Sequence, residues 1–211
     1  MSRVLILLAH PQIENSRVAR ALVAAAHSVA HAASADASPA PPQIVLRDLY
    51  ALYPDYLIDV EAEQAALAGV TLLVWLHPIH WYSMPPLMKL WLDEVLTLGW
   101  AYGPGGQALQ GVDLWLAAST GGPEASYRPA GYNRYFFDAF LPPYEQTAAL
   151  TGMRFLPPWL LHGAHQTDDA SLAAHAALFG QRLRSHPDWP ELADLPACSQ
   201  CEVPRESRPA D

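Results

Sequence analysis

Thr71-Leu72-Leu73-Val74-Trp75-Leu76-His77-Pro78-Ile79-His80-Trp81-Tyr82-Ser83-Met84-Pro85-Pro86-Leu87-Met88-Lys89-Leu90-Trp91-Leu92 passes from an unbroken apolar run, through a loop, into a helical pattern. The run Leu72–Leu76 has no polar alternation, the pattern of a strand buried on both faces of a parallel sheet. Pro is tolerated at the start of a helix because its missing N–H would have no intrahelical partner there, so Pro85-Pro86 marks the restart. Between strand and helix stand imidazole, indole, phenol and hydroxyl groups. In an open α/β sheet such a loop lies at the carboxyl end of a strand, where ligands bind, and its rings suit a flat aromatic ligand.

Outward from this stretch the same alternation repeats. Val4–Ala9 is a second apolar run and the central first strand. It ends at His10-Pro11 and leads to an Ala-rich helix from Arg17, with Asn15 or Ser16 as the expected N-cap. Ile44–Asp48 reads as the second strand and Val112–Ala118 as the fourth. The fifth starts at Met153–Leu156, is interrupted by Pro157-Pro158 and continues through Trp159–His162. Helices are expected near Val60–Ala68, Leu87–Leu96, Asn133–Thr151 with a break at Leu141-Pro142-Pro143, and Ala170–Ser185 capped by Asp168 or Asp169. Glu61, Glu63 and Gln64 read as a solvated helix start. Strands alternating with helices give an α/β doubly wound five-stranded parallel sheet, most simply of order 2-1-3-4-5. The domain is expected over residues 1–186. His31–Pro42 reads as a surface connector, and residues 187–211 as a Pro-rich, charged tail with little order past about Leu192.

Half of the 211 residues are apolar and 16% are charged, a globular composition. The formal charge of −9 argues against nucleic acid or an anionic membrane as main partner, since both require basic patches. No apolar run approaches the roughly 20 residues that span a bilayer. The N-terminus runs directly into a strand, so a cytoplasmic protein is expected. The two cysteines, Cys198 and Cys201, form a lone CxxC in the tail and read first as incidental thiols. His77, His80, His162 and His165 are scattered over different elements, and no metal site is expected from them.

Three loops converge on the switch point of the 2-1-3-4-5 order. After strand one, a helix N-terminus with Ser16 and a charge from Arg17 suits phosphate. After strand three, Trp81 and Tyr82 suit a ring system. After strand four, Ser119-Thr120-Gly121-Gly122 lets backbone N–H groups approach a ligand closely. Flavin mononucleotide has all three requirements, and such a sheet carries FMN at this switch point. His10 stands where a phosphorylated signalling domain needs clustered acids, and a cysteine phosphatase would need a loop Cys that is absent.

His10-Pro11, the block from Trp75 to Trp91, Gly99-Trp100-Ala101-Tyr102-Gly103 and Thr120-Gly121-Gly122 resemble the flavodoxin-like NAD(P)H:quinone oxidoreductases, in the branch of the ancillary proteins of glutathione-regulated potassium-efflux systems. The resemblance runs from about Val4 to Leu183. It implies tightly bound FMN or FAD, a homodimer with active sites at the subunit interface, and two-electron reduction of quinones by NADPH or NADH in a ping-pong cycle. It also implies a membrane potassium-efflux antiporter as a partner, with the protein peripheral to the inner membrane. Carried over by position, His10, Ser16, Arg17, Val18 and Ala19 hold the phosphate end. Pro78, Ile79, His80, Trp81 and Tyr82 line the ring, and Ser119 to Gly122 donate to it. Tyr127 matches a charge-relay tyrosine. Tyr132 and Asn133 occupy the region where those enzymes carry the relay histidine. His162, at the end of a strand on the same edge, is a further catalytic candidate. A regulatory subunit in which flavin is mainly a structural or sensing ligand is the alternative to an enzyme.

Overall fold

The computed structural model describes residues 2–31, 41–193 and 195. Most of the expected connector and the Cys198/Cys201 pair lie outside these residues. The strands are β1 (Arg3–Leu8), β2 (Gln43–Asp48), β3 (Leu72–Pro78), β4 (Asp113–Ser119), β5 (Arg154–Phe155) and β6 (Trp159–Leu161). The helices are α1 (Arg17–His31), α2 (Leu49–Leu52), α3 (Val60–Leu67), α4 (Pro86–Val95), α5 (Pro142–Leu150) and α6 (Asp169–Ser185). All pairings are parallel, in the order β2-β1-β3-β4-β5, with β6 also on β4. The expected fifth strand is thus two short pieces on one neighbour. Pro157 and Pro158 have no N–H for the ladder, which parts the pieces; the Pro157 carbonyl instead accepts from Trp115 Nε1 at 3.1 Å.

Alternate residues of the central strands feed two cores, as the period of a strand dictates. Leu5, Leu7, Leu73, Trp75 and Leu116 pack with Leu87 and Trp91 of α4 and Tyr144 of α5. Val4, Ile6, Val74 and Trp115 pack with Leu22 of α1 and Phe179 of α6. Trp115 and Phe179 stack at 5.0 Å.

Three expectations are corrected. Residues 133–136 are not helical: a short 3-10 turn at Phe137–Phe140 precedes α5, which starts at Pro142. Pro142-Pro143 therefore opens a helix instead of breaking one, for the reason that applies at Pro85-Pro86. Glu63 is not solvated but fully buried. Its carboxylate accepts from Arg47 Nε at 2.8 Å, from the Tyr53 hydroxyl at 2.5 Å and from Trp91 Nε1 at 2.9 Å. A charge taken out of water is tolerated when it is paired and hydrogen-bonded in this way. Finally, the domain continues past residue 186. Trp189 and Leu192 are buried, with Trp189 edge-on to Trp115 at 4.8 Å. At the same end of the sheet, Asp113 accepts from Arg154 at 2.7 and 2.9 Å and lies 2.7 Å from His186 Nε2.

Candidate functional site

At the opposite, carboxyl end of the sheet, the loops after β1, β3, β4 and β6 enclose a cavity of about 430 Å³. It is lined by His10, Gln12, Asn15, Ser16, Arg17, Val18, Pro78, Ile79, His80, Ser119, Thr120, Gly121, Ala164 and His165. Ten residues foreseen from the sequence therefore meet there.

Ser16 is the N-cap of α1, its Oγ accepting from the Ala19 N–H at 3.1 Å. The N–H groups of Arg17 and Val18 have no carbonyl one turn back to bond. Together with the positive end of the helix dipole they make an anion site. The Arg17 guanidinium does not serve that site. It donates to the Thr167 carbonyl at 2.9 Å and pairs with Asp169, so its charge is committed to the start of α6. Ala19 lies buried behind the cavity wall. His10 Nδ1 accepts from the Gln12 N–H at 3.1 Å, which leaves Nε2 as the protonated ring atom. Burial, and then the neighbouring His80, hold its pKa below the ordinary imidazole value.

The β3 loop divides at His80. Pro78, Ile79 and His80 reach the cavity, whereas Trp81 and Tyr82 do not. His80 and Ser83 exchange backbone hydrogen bonds at 2.9 and 3.0 Å, and the two residues between them sit at φ +49° and +65°. This tight left-handed turn leaves Trp81 93% exposed. Tyr82 stacks on Phe140 at 5.1 Å with its hydroxyl 3.3 Å from Asn133 Oδ1. Both residues are expected at the flavin ring from the sequence, and their side chains lie outside this cavity. Beneath the loop, burial pushes the His77 imidazole down to about 4.

Thr120 organises the β4 loop. Its N–H donates to the Leu161 carbonyl at 3.0 Å, and its own carbonyl accepts from the Ala164 N–H at 2.9 Å. Its hydroxyl donates to the Gly122 carbonyl at 2.7 Å and lies 3.0 Å from His162 Nδ1. The hydroxyl has one proton, already used on Gly122, so His162 Nδ1 is the donor in that contact. The Gly121 and Gly122 N–H groups donate to no acceptor among the described residues. Gly121 opens to the cavity, while Gly122 lies against Ser126 and Tyr132.

Tyr127 and His162 border a second cavity of about 600 Å³, with Arg128, Phe136, Phe137 and Leu160. Their ring centroids are 5.2 Å apart. Burial raises the Tyr127 pKa and lowers that of His162, so both are held in their neutral forms. They connect to the first cavity through Thr120. The sequence reading missed Gln12, Asn15 and Ala164 as lining residues and gave His165 no role. The available signal was that the loop after the fifth strand ends on the same sheet edge as the other three. Among the described residues, no group of three or more His, Cys, Asp or Glu side chains could hold a metal ion.

Comparison with known proteins agrees with this geometry. The chain matches the flavodoxin-like fold family over residues 2–183. It is 41% identical over 180 residues to the glutathione-regulated potassium-efflux system ancillary protein KefF of Citrobacter koseri, covering 85% of this chain and 94% of that one. It is 37% identical to general stress protein 14 of Treponema denticola, solved in complex with FMN, with a TM-score of 0.75 over 86% of this chain and 97% of that one. An NADPH-quinone reductase from P. pentosaceus shares the fold at 23% identity and a TM-score of 0.68, over 87% and 98% of the two chains. The chain belongs to the flavodoxin-like family that includes the ancillary proteins of glutathione-regulated potassium-efflux systems.

Proposed function

We propose that this protein is a flavin-dependent NAD(P)H:quinone oxidoreductase that binds FMN in the cavity at the carboxyl end of the sheet. The observation that carries the reading is the donor set. One end of the cavity has the free N–H groups of α1 beside Ser16, and the other has the unpartnered Gly121 N–H. A phosphate ester and the carbonyl edge of a flat ring are the complementary ligand groups. The FMN complex of the Treponema relative supports the choice of flavin.

FMN would supply two-electron, hydride-level chemistry between NADPH or NADH and the acceptor, in a ping-pong cycle. The chain's part is binding, orientation and charge. Ser16 and the α1 N–H groups anchor the phosphate, and Pro78–His80 form one wall for the ring. The Gly121 N–H would donate to the ring's carbonyl edge and favour negative charge there, while Gly122, packed against Ser126 and Tyr132, lies outside the cavity. Tyr127, held protonated by burial, and His162, whose Nε2 remains free to take a proton, move protons at the acceptor. Trp81, Tyr132, Tyr135 and Phe136 are exposed near the site. Large exposed aromatics of this kind suit coverage by a second copy, and we assign the protein as a homodimer.

The name of the Citrobacter relative favours a second role, as the ancillary subunit of a potassium-efflux antiporter. The protein would then act from the cytoplasm, docked on its membrane partner; no helix among the described residues is long and apolar enough to cross a membrane. Anaerobic reduction of the FMN-loaded protein by NADPH, followed by reoxidation with a quinone, tests the enzyme reading. Tyr127→Phe separates the roles: quinone turnover should fall roughly a hundredfold, while antiporter activation survives. Unchanged turnover would remove Tyr127 from the mechanism.

A further inference from the structure

Of the nine histidines, His27 and His31 alone stand four residues apart on one helix. Residues so spaced lie one above the other on a helix face, with Cβ atoms roughly 5–6 Å apart. Both are exposed on the last turns of α1, whereas Val18, Leu22, Ala26 and Val29 of the same helix are buried. Their ring centroids are 6.2 Å apart and their planes are inclined by 50°. The flavin reading above makes no use of either residue. We propose that His27 and His31 form a surface site for a divalent transition-metal ion of the kind imidazole binds, Cu²⁺ ahead of Zn²⁺, with water completing the coordination.

One ring is already set for a metal. His31 Nδ1 lies 2.7 Å from the His27 carbonyl. A carbonyl oxygen only accepts, so Nδ1 carries the proton and Nε2 presents its lone pair. Metal-bound histidines are held in the same way: the second ring nitrogen donates to a backbone carbonyl, which selects the tautomer and raises the basicity of the ligating atom. Two imidazole nitrogens at about 2.0–2.1 Å from a tetrahedral ion put their ring centroids about 5 Å apart. The resting pair is wider by about 1 Å, a closure that rotation of the exposed His27 side chain supplies. Charge favours the same place. The last carbonyls of a helix carry partial negative charge, and a dication is attracted to that end, in a chain of net charge −9. No third His, Cys, Asp or Glu joins the pair among the described residues, so the other coordination positions are left to water. Imidazole ligands without carboxylate select Cu²⁺ over Zn²⁺ and discriminate against Mg²⁺ and Ca²⁺, which prefer oxygen.

Titration of the full-length, ¹⁵N-labelled protein with Cu²⁺, followed by paramagnetic broadening of its backbone amides, tests the site. A Cys198→Ser/Cys201→Ser background removes the tail thiols as competing ligands. The expected result is that sub-stoichiometric Cu²⁺ broadens the amides of the last two turns of α1 first, and that Mg²⁺ at the same concentration leaves them unchanged. His27→Gln and His31→Gln each leave a single imidazole. The Cu²⁺ concentration that gives the same broadening should then rise roughly a hundredfold, because the second ligand of a chelating pair acts at high effective concentration. Both substitutions lie on an exposed helix face, so the rest of the spectrum should stay as in the parent, which verifies the fold. Broadening at the other histidines ahead of α1, or broadening of α1 undiminished in either variant, overturns the inference. The site needs no flavin, so these outcomes leave the flavin reading standing.

Discussion

The two ends of β4 treat polar groups in opposite ways. At its start, Asp113 is matched by Arg154 and His186, and the buried Trp189 and Leu192 lie at the same end of the domain. Past its other end, the N–H groups of Gly121 and Gly122 have no acceptor, and the loop opens to a cavity. One strand, apolar throughout its middle, thus joins a sealed base to an open rim. The base satisfies its charges internally and stabilises the fold; the rim leaves donors unspent, which a folded chain retains where a ligand completes them.

Breaking the base should give the largest effect on stability. Asp113→Ala strands Arg154 and His186, and the loss should be about 3 kcal/mol or more, read as a lower urea midpoint. Glu63→Ala belongs to the same class, since it leaves Arg47, Tyr53 and Trp91 without their shared acceptor. Neither substitution should alter FMN affinity per folded molecule.

His77 lies between the two regimes, buried one residue below the cavity wall and stacked on Tyr144. Its folded pKa is depressed by burial, so the stability it contributes is present above its ordinary pKa and is lost as pH falls. The window runs from 6.5 down to about 4. His77→Phe should flatten that part of the stability profile; an unchanged profile would place the acid sensitivity elsewhere.

At the rim, stability and binding should separate. Ser16→Ala removes the α1 cap and should cost about 1 kcal/mol of stability, while FMN affinity falls by roughly tenfold through loss of the hydroxyl and a looser anion site. Trp81→Ala should be the mildest, within about 0.5 kcal/mol, yet it should weaken dimer formation in sedimentation equilibrium. A dimer indifferent to Trp81 would count against its role as covered surface.

The sheet was legible because parallel strands buried on both faces are written as apolar runs: Val4–Leu8, Leu72–Leu76 and Leu114–Ala118 could hardly be anything else. The cavity was legible for a related reason, since sheet order dictates which strand ends meet. What could not be read depends on partners distant in the chain. Glu63 looks solvated because an acid in the first turn of a helix usually is. Its burial is decided by Arg47, Tyr53 and Trp91, which come from three other segments. Trp81 and Tyr82 carry the right chemistry, but the His80–Ser83 turn directs them away from the cavity, and no residue type announces a left-handed pair at those positions. Arg17 reads as a phosphate ligand until Asp169, far along the chain, takes its charge.

The central claim is that the open rim is a flavin site, and fluorescence titration of the apoprotein with FMN tests it most directly. Saturable, stoichiometric quenching that weakens in Ser16→Ala and persists in folded Asp113→Ala is the predicted result. Absence of saturable binding by well-folded wild-type protein would contradict it.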